Sequence, residues 1–109
     1  MDLIDRTHGL DLLYSVLAFL CENELQDHPT IAADVMAAFN IVAEHHVPDA
    51  LLAQASGVDV RDALHRADVL AHALAISAPE LNECLRLLRV VDLLRNAQAD
   101  LPGTLAEES

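Results

Sequence analysis

One apolar segment constrains the fold of this chain more than any other feature. Residues 10–21 contain ten apolar side chains in twelve, interrupted only by Asp11 and Ser15. A helix that is apolar on nearly every side has to be surrounded, because one neighbouring element covers only one face. We therefore expect the rest of the chain, or a second copy of it, to wrap this segment.

Composition indicates an all-α protein. The 109 residues suffice for one domain that buries a core without disulfides or metals. Apolar residues make up 53% of the chain and aromatic residues only 3%, and a core of Leu, Val, Ile and Ala suits closely packed helices. The three glycines and four prolines lie near segment boundaries, with the exception of Gly9, so long stretches contain no helix breaker.

Hydrophobic periodicity and capping residues predict a compact bundle of four long helices plus one short helix. The long helices are expected at about residues 5–26, 29–46, 59–76 and 77–99, and the short one at about 48–56. Residues 1–100 then form a single helical domain, and residues 101–109 form a flexible acidic tail. The start of the last helix carries a capping box, in which Ser77 and Glu80 each satisfy a backbone amide of the other.

Apolar stripes predict which faces are buried. The second helix has its stripe at Ile31, Val35, Ala38 and Val42, and the next long helix at Val60, Leu64, Ala67, Ala71 and Leu74. The last helix has its inner stripe at Leu81, Cys84, Leu85, Leu88 and Val91, widened by Leu87, Val90 and Leu94. The first and last helices show more apolar surface than one neighbour can cover, and two-fold pairing is the commonest way to bury a surplus. We therefore predict a homodimer with an interface at Leu13, Leu17, Leu20, Leu88 and Val91.

The chain is strongly acidic, and its charge is unevenly distributed. Eighteen Asp and Glu residues oppose six arginines and no lysine, which gives a formal charge of −12. Residues 1–59 hold ten acids and one arginine, whereas residues 60–109 hold eight acids and five arginines. Such a surface repels nucleic-acid phosphates and anionic lipid and attracts basic proteins. The alternative is that the acidity only keeps the protein soluble.

The amino terminus and the cysteines favour a cytoplasmic protein. Residues 1–6 lack the basic region of a signal peptide, and the apolar segment after them is too short to cross a bilayer. Cys21 and Cys84 lie in apolar helical context, where a free cysteine behaves as a small hydrophobic residue. We expect no disulfide between them.

The sequence contains no motif for catalysis or for a cofactor. A nucleophile needs an adjacent base, and both cysteines lie on apolar stripes without an activating pattern. His65, Asp68 and His72 lie at i, i+3 and i+7 on one predicted helix face, a geometry that permits metal binding but matches no recognised ligand spacing. We therefore predict no enzyme, no cofactor and no metal centre, with these three residues as the alternative metal site.

Residues 52–66 support an alternative function. Ala53, Gly57 four residues later and the helix predicted after it resemble the helix-turn-helix of small DNA-binding regulators. The resemblance implies a transcriptional regulator that inserts this second helix into DNA. Asp59 and Asp62 would then face the phosphates, so direct nucleic-acid binding is not expected.

The leading hypothesis is a small acidic protein-binding module that docks on a basic partner without catalysis. In size, charge and composition the chain is similar to bacterial secretion chaperones, immunity proteins of toxin systems and phage-encoded inhibitors that imitate nucleic acid. That similarity is one of class and includes no shared motif. The predicted partner-binding residues are six acids of the first half, Glu22, Glu24, Asp27, Asp34, Glu44 and Asp49.

Overall fold

A computed structural model describes residues 3–23, 29–51 and 60–100 of the chain. The regular structure in these ranges consists of four α-helices, α1 (Leu3–Asn23), α2 (Pro29–His45), α3 (Val60–Ile76) and α4 (Leu81–Ala99). The all-α prediction is therefore confirmed. The short fifth helix is not, because residues 46–51 are not helical and residues 52–56 lie outside the described ranges, as does the predicted tail at 101–109.

The four helices form a bundle in which α1 packs on α2 and α3, and α4 packs on the same two helices. His46, just after α2, contacts Asp11 in the first half of α1, so α1 and α2 run antiparallel. Arg6 near the start of α1 contacts Leu74 near the end of α3, so α3 is also antiparallel to α1. The end of α2 and the start of α3 therefore lie at opposite ends of the bundle.

The apolar segment in α1 is surrounded by the chain itself. Every side chain from position 9 to position 21 is at least partly buried, as its composition predicts. Leu13, Leu17 and Leu20 have no exposed surface. Tyr14 packs on Phe39 of α2 with a ring centroid distance of 4.9 Å and a tilt of 58°, an edge-on geometry that aromatic pairs favour.

Four of the five residues of the predicted dimer interface are buried within the single chain. Leu13, Leu17, Leu20 and Val91 belong to the core of the single chain and are nearly or fully inaccessible. They cannot contact a second copy unless the bundle opens, since the helices of the same chain already cover them. Of the five predicted interface residues, Leu88 is the one that remains exposed.

The predicted inner faces are right for two helices and only partly right for the last one, where Val91 and the widening residues Leu87, Val90 and Leu94 are buried. The stripe at Ile31, Val35, Ala38 and Val42 is buried, and so is the α3 stripe apart from the partly buried Val60. On α4, however, Leu81, Leu85 and Leu88 are exposed. The buried face of α4 consists of Leu87, Val90, Val91, Leu93, Leu94 and Ala97.

The capping box is also corrected. Helix α4 begins at Leu81, with Glu80 as its N-cap residue, and the Glu80 side chain makes no capping hydrogen bond. The Ser77 hydroxyl instead donates to the carbonyl oxygen of Ala73 at 3.0 Å. A serine just past a helix end can satisfy the i−4 carbonyl in this way, and that bond ties Ser77 to α3 instead of α4.

Candidate functional site

A buried arginine joins three helices at one end of the bundle. Arg6 is only 7% exposed, and its Nη1 donates to the carbonyl oxygen of Leu74 at 2.8 Å and to the hydroxyl oxygen of Ser77 at 3.0 Å. Its Nη2 pairs with the carboxylate of Glu83 on α4. Burial lowers the pKa of the Arg6 guanidinium, but arginine stays protonated in proteins, so this is an ion pair at physiological pH.

A second polar contact nearby joins α1 to the residue that follows α2. Nε2 of His46 lies 2.5 Å from Oδ1 of Asp11, and both side chains are largely buried. The contact is a salt bridge when the imidazole is protonated and a hydrogen bond when it is neutral. His45 next to it is half-exposed, with Nε2 4.0 Å from a carboxylate oxygen of Glu44.

Three of these residues, His45, His46 and Glu83, border a cavity of about 210 Å³ between α1, α2 and α4. Its walls are mixed, with aliphatic side chains from all three helices and ionisable groups at one side. The lining residues are Leu10, Ile41, Val42, His45, His46, Glu83, Arg86 and Leu87. A partly open cleft that combines aliphatic walls with a few polar groups is a form that small-molecule sites take.

The predicted partner-binding acids do not form one cluster. Glu22 is exposed at the end of α1, and Asp34 is partly buried near the start of α2. Glu44 and Asp49 are exposed at the other end of α2, and the ten residues between Asp34 and Glu44 correspond to roughly 15 Å along the helix axis. Glu24 and Asp27 lie outside the described residues.

The position of Arg6 affects the charge of this surface. Positions 1–59 contain no lysine and one arginine, Arg6. Arg6 is buried against Glu83 of the other half of the chain. The exposed acids of α1 and α2 therefore have no lysine or arginine of their own half at the surface.

The alternative metal site is not assembled. Asp68 is held by α4, with Oδ1 3.4 Å from Nε of Arg95 and Oδ2 accepting from Gln98 at 3.1 Å. His65 and His72 are exposed on α3. Within residues 3–23, 29–51 and 60–100, no three His, Cys, Asp or Glu side chains are placed to hold a metal ion.

The cysteines are unbonded and lie in apolar surroundings. Cys21 and Cys84 are both partly buried free thiols. Burial, and then the carboxylate of Glu22, raise the pKa of the Cys21 thiol, which is the opposite of what activates a nucleophile. Of the helix-turn-helix stretch, residues 52–59 are not described, and the remaining residues 60–66 form the first turns of α3.

Sequence reasoning missed Arg6, Glu83 and Arg86 as a group. A signal for Arg6 was present, because it lies in the first turns of α1, where a cation opposes the helix dipole. A lone arginine at such a position indicates a partner outside its own helix. Its partner could not be identified, because Glu83 is 77 residues away in the chain.

No helix in the described ranges combines the length and the apolar character needed to span a bilayer. Comparison with protein-family models, with curated proteins and with solved structures found no match to this chain. Its function therefore has to be inferred from its own residues.

Proposed function

We propose that the protein is a small acidic, all-helical binding module that docks on a basic surface of another protein and performs no catalysis. One observation carries this proposal. Arg6, the only arginine of the first 59 residues, is buried, and the acids exposed on α1 and α2 are left without basic neighbours from their own half. Unneutralised like charge attracts a surface of opposite sign and accelerates its association.

We propose that the basic partner contacts the solvent-facing side of α1 and α2. Glu22, Glu44 and Asp49 are exposed and Asp34 is partly so. Their spread along the bundle suits an extended basic partner surface more than a single basic side chain. Glu24 and Asp27 follow α1 in sequence and stay part of the predicted contact.

The chemistry of the described residues is consistent with a non-enzymatic role. The Ser15 hydroxyl donates to the carbonyl oxygen of Asp11 one turn earlier, and the raised pKa of Cys21 keeps that thiol protonated near neutral pH. Neither arrangement resembles a nucleophile activated by a base. We place the module in the cytoplasm, where free thiols stay reduced.

We further propose that the module forms a homodimer through an apolar surface on α4. Leu81, Leu85 and Leu88 follow one another at i, i+4 and i+7 and are exposed, and Ile76 at the end of α3 is also exposed. A second copy carries the same charge of −12, so it approaches most easily through the half with five arginines. The α4 surface lies in that half, and the acidic surface stays free for the partner.

The test compares two variants with the same change in net charge. The first carries Glu22→Gln, Asp34→Asn, Glu44→Gln and Asp49→Asn. The matched control carries four neutralised acids of the other half, Asp62→Asn, Glu80→Gln, Asp92→Asn and Asp100→Asn, all of which are exposed. Each protein is immobilised, exposed to extract of the source cell at low salt and eluted with increasing salt.

We expect one basic protein to be retained by the wild type and the control, to be lost from the first variant, and to elute as salt rises. Equal loss from both variants would mean that bulk charge alone causes retention, which contradicts a specific acidic surface. Retention of DNA with a salt-dependent affinity would instead support the alternative, a regulator that uses residues 52–66.

A further inference from the structure

The cavity between α1, α2 and α4 is lined by one charged group that has no ion-pair partner among the described residues. Glu83 is paired with Arg6, His46 contacts Asp11, and His45 lies near Glu44. Arg86 also lines the cavity, yet no acid of the described part of the chain forms an ion pair with it. Arg86 is partly buried and lies one helical turn after Glu83, whose carboxylate is already paired with Arg6.

The remaining wall of the cavity is aliphatic. Leu10 of α1, Ile41 and Val42 of α2, and Leu87 of α4 all line it. Val42 and Leu87 are buried core residues, so this wall is fixed by packing. The site therefore places one guanidinium group beside a small apolar surface.

We propose that this cavity binds a free small organic monocarboxylate, with its carboxylate on Arg86 and its hydrocarbon part against Leu10, Ile41 and Leu87. A guanidinium group can donate two parallel hydrogen bonds to a carboxylate, and such charge-assisted bonds are strong where water is partly excluded. The hydrocarbon part gains from leaving water. The two interactions together require a ligand with one charged end and one apolar end.

The size and charge of the cavity limit the ligand further. About 210 Å³ corresponds to roughly seven water molecules at their share of liquid volume, and it is below the range of sites for drug-sized ligands. The carboxylate of Glu83 forms part of the same wall. Although Arg6 neutralises it, a doubly charged anion such as phosphate would meet more repulsion than a monocarboxylate does.

The test uses ligands of equal length that differ only in the charged end. Hexanoate, hexanol and hexylammonium are titrated into ¹⁵N-labelled protein, and amide shifts are followed by NMR. We expect saturable shifts with hexanoate, centred on residues 41–46 and 83–87, and weak or no saturation with the other two. Equal binding of all three ligands, or no saturation with hexanoate at millimolar concentration, would overturn the proposal.

Two variants and one control locate the binding. Arg86→Gln should weaken hexanoate binding about tenfold or more, as expected for the loss of hydrogen bonds to a charged group. Ile41→Phe should also weaken hexanoate binding, because the larger side chain fills the apolar part of the cavity. This variant keeps the test informative if Arg86→Gln folds poorly. Arg66→Gln removes the same charge from an exposed position on α3, which does not line the cavity, and should leave the affinity within a factor of about two. Equal effects of Arg86→Gln and Arg66→Gln would place the carboxylate elsewhere.

Discussion

The absence of a side chain at Gly9 allows α1 and α3 to approach closely. Gly9 is buried, and a Cβ atom added to it would lie 3.2 Å from Cδ2 of Leu74. Leu74 is fully buried, and its carbonyl oxygen accepts a hydrogen bond from Arg6, so it has little room to move. We expect Gly9→Val to lower the free energy of unfolding by about 1–3 kcal/mol through overpacking, measured by urea denaturation.

Gly9→Ala tests the same contact more finely. Alanine gains about 1 kcal/mol of helix propensity over glycine, but its methyl group crowds Leu74, so we expect stability near that of the wild type. Ala33 is exposed on α2, and Ala33→Val changes helix propensity without overpacking. An equal difference between Ala and Val at positions 9 and 33 would contradict the close approach of α1 and α3.

The role of Gly9 could be predicted only in part from the sequence. It is the one glycine placed inside a predicted helix and away from a segment boundary, and a glycine there costs stability unless something needs the space. The pattern therefore singles out the position, but it predicts no contact there. Its partner Leu74 is 65 residues further along the chain, and no local signal connects the two.

The thiol of Cys21 provides a second prediction at this scale. Burial, and to a lesser extent Glu22, raise its pKa, so its thiolate fraction at neutral pH is below that of free cysteine. In a Cys84→Ala background, we expect alkylation by iodoacetamide to be slower than that of free cysteine, and Glu22→Gln to accelerate it. Alkylation as fast as that of free cysteine, measured by mass spectrometry, would contradict the raised pKa.

The same raised pKa predicts a loss of stability at alkaline pH. The unfolded thiol releases its proton at a lower pH than the folded one, so the contribution of Cys21 is complete below the unfolded pKa and is lost as pH rises through the folded pKa. The free energy of unfolding of Cys84→Ala should therefore fall more steeply above neutral pH than that of the double variant Cys21→Ala/Cys84→Ala. Parallel curves would contradict this.

At the scale of the helices, Arg6 connects the start of α1 to the end of α3 and the start of α4. Arg6→Met would leave the Leu74 carbonyl oxygen and the largely buried Glu83 carboxylate without their partner. Removing one member of a buried ion pair is strongly destabilising. We expect the free energy of unfolding to fall by about 3 kcal/mol, measured by chemical denaturation.

The control for Arg6 is the ion pair between Asp68 of α3 and Arg95 of α4, in which the arginine is exposed and the aspartate is largely buried. Arg95 is 60% exposed and its Nε lies 3.4 Å from Oδ1 of Asp68. Solvent screens the guanidinium group of Arg95, and Asp68 keeps its hydrogen bond from Gln98, so Arg95→Met should cost less than about 1 kcal/mol. Equal losses for Arg6→Met and Arg95→Met would mean that burial adds nothing to the Arg6 contacts.

Helix α4 shows where hydrophobic periodicity stops being informative. Apolar residues recur at helical spacing on two of its faces, so the pattern predicts a helix but does not select the inner face. Glu83, Leu87, Val90 and Leu94 share one face at i, i+4, i+7 and i+11, and the structure buries that face against α2 and α3. The ion pair between Glu83 and Arg6 lies on this face, and such a long-range pair cannot be found from local sequence.

At the scale of the whole molecule, the face that α4 exposes differs from the predicted one, so the proposed dimer contact lies at different residues. The apolar surface from which a dimer was predicted is still present on α4. The other helices of the same chain cover the apolar surface of α1, since no residue from position 9 to position 21 is exposed. Part of the apolar surface of α4 remains exposed to solvent, since Leu81 is 72% exposed and Leu85 is 54% exposed. Exposed apolar residues in a contiguous group are typical of interaction surfaces, whereas scattered ones are ordinary.

Three substitutions by aspartate separate the dimer contact from folding. Leu85→Asp should give a folded monomer, because it places a charge in the proposed contact. Met36 is similarly exposed on α2, so Met36→Asp adds the same charge outside the contact and should leave the dimer intact. Leu17 is fully buried, and Leu17→Asp should prevent folding, since an unpaired charge in the core is prohibitively costly.

Sedimentation velocity at micromolar concentration measures the assembly, and circular dichroism checks the fold of each variant. A wild-type protein that sediments as a monomer would refute the homodimer. A dimer that survives Leu85→Asp but dissociates with Met36→Asp would instead locate the contact on the acidic half. The proposed docking of a basic partner would then compete with self-association, because both would require the exposed surface of α2.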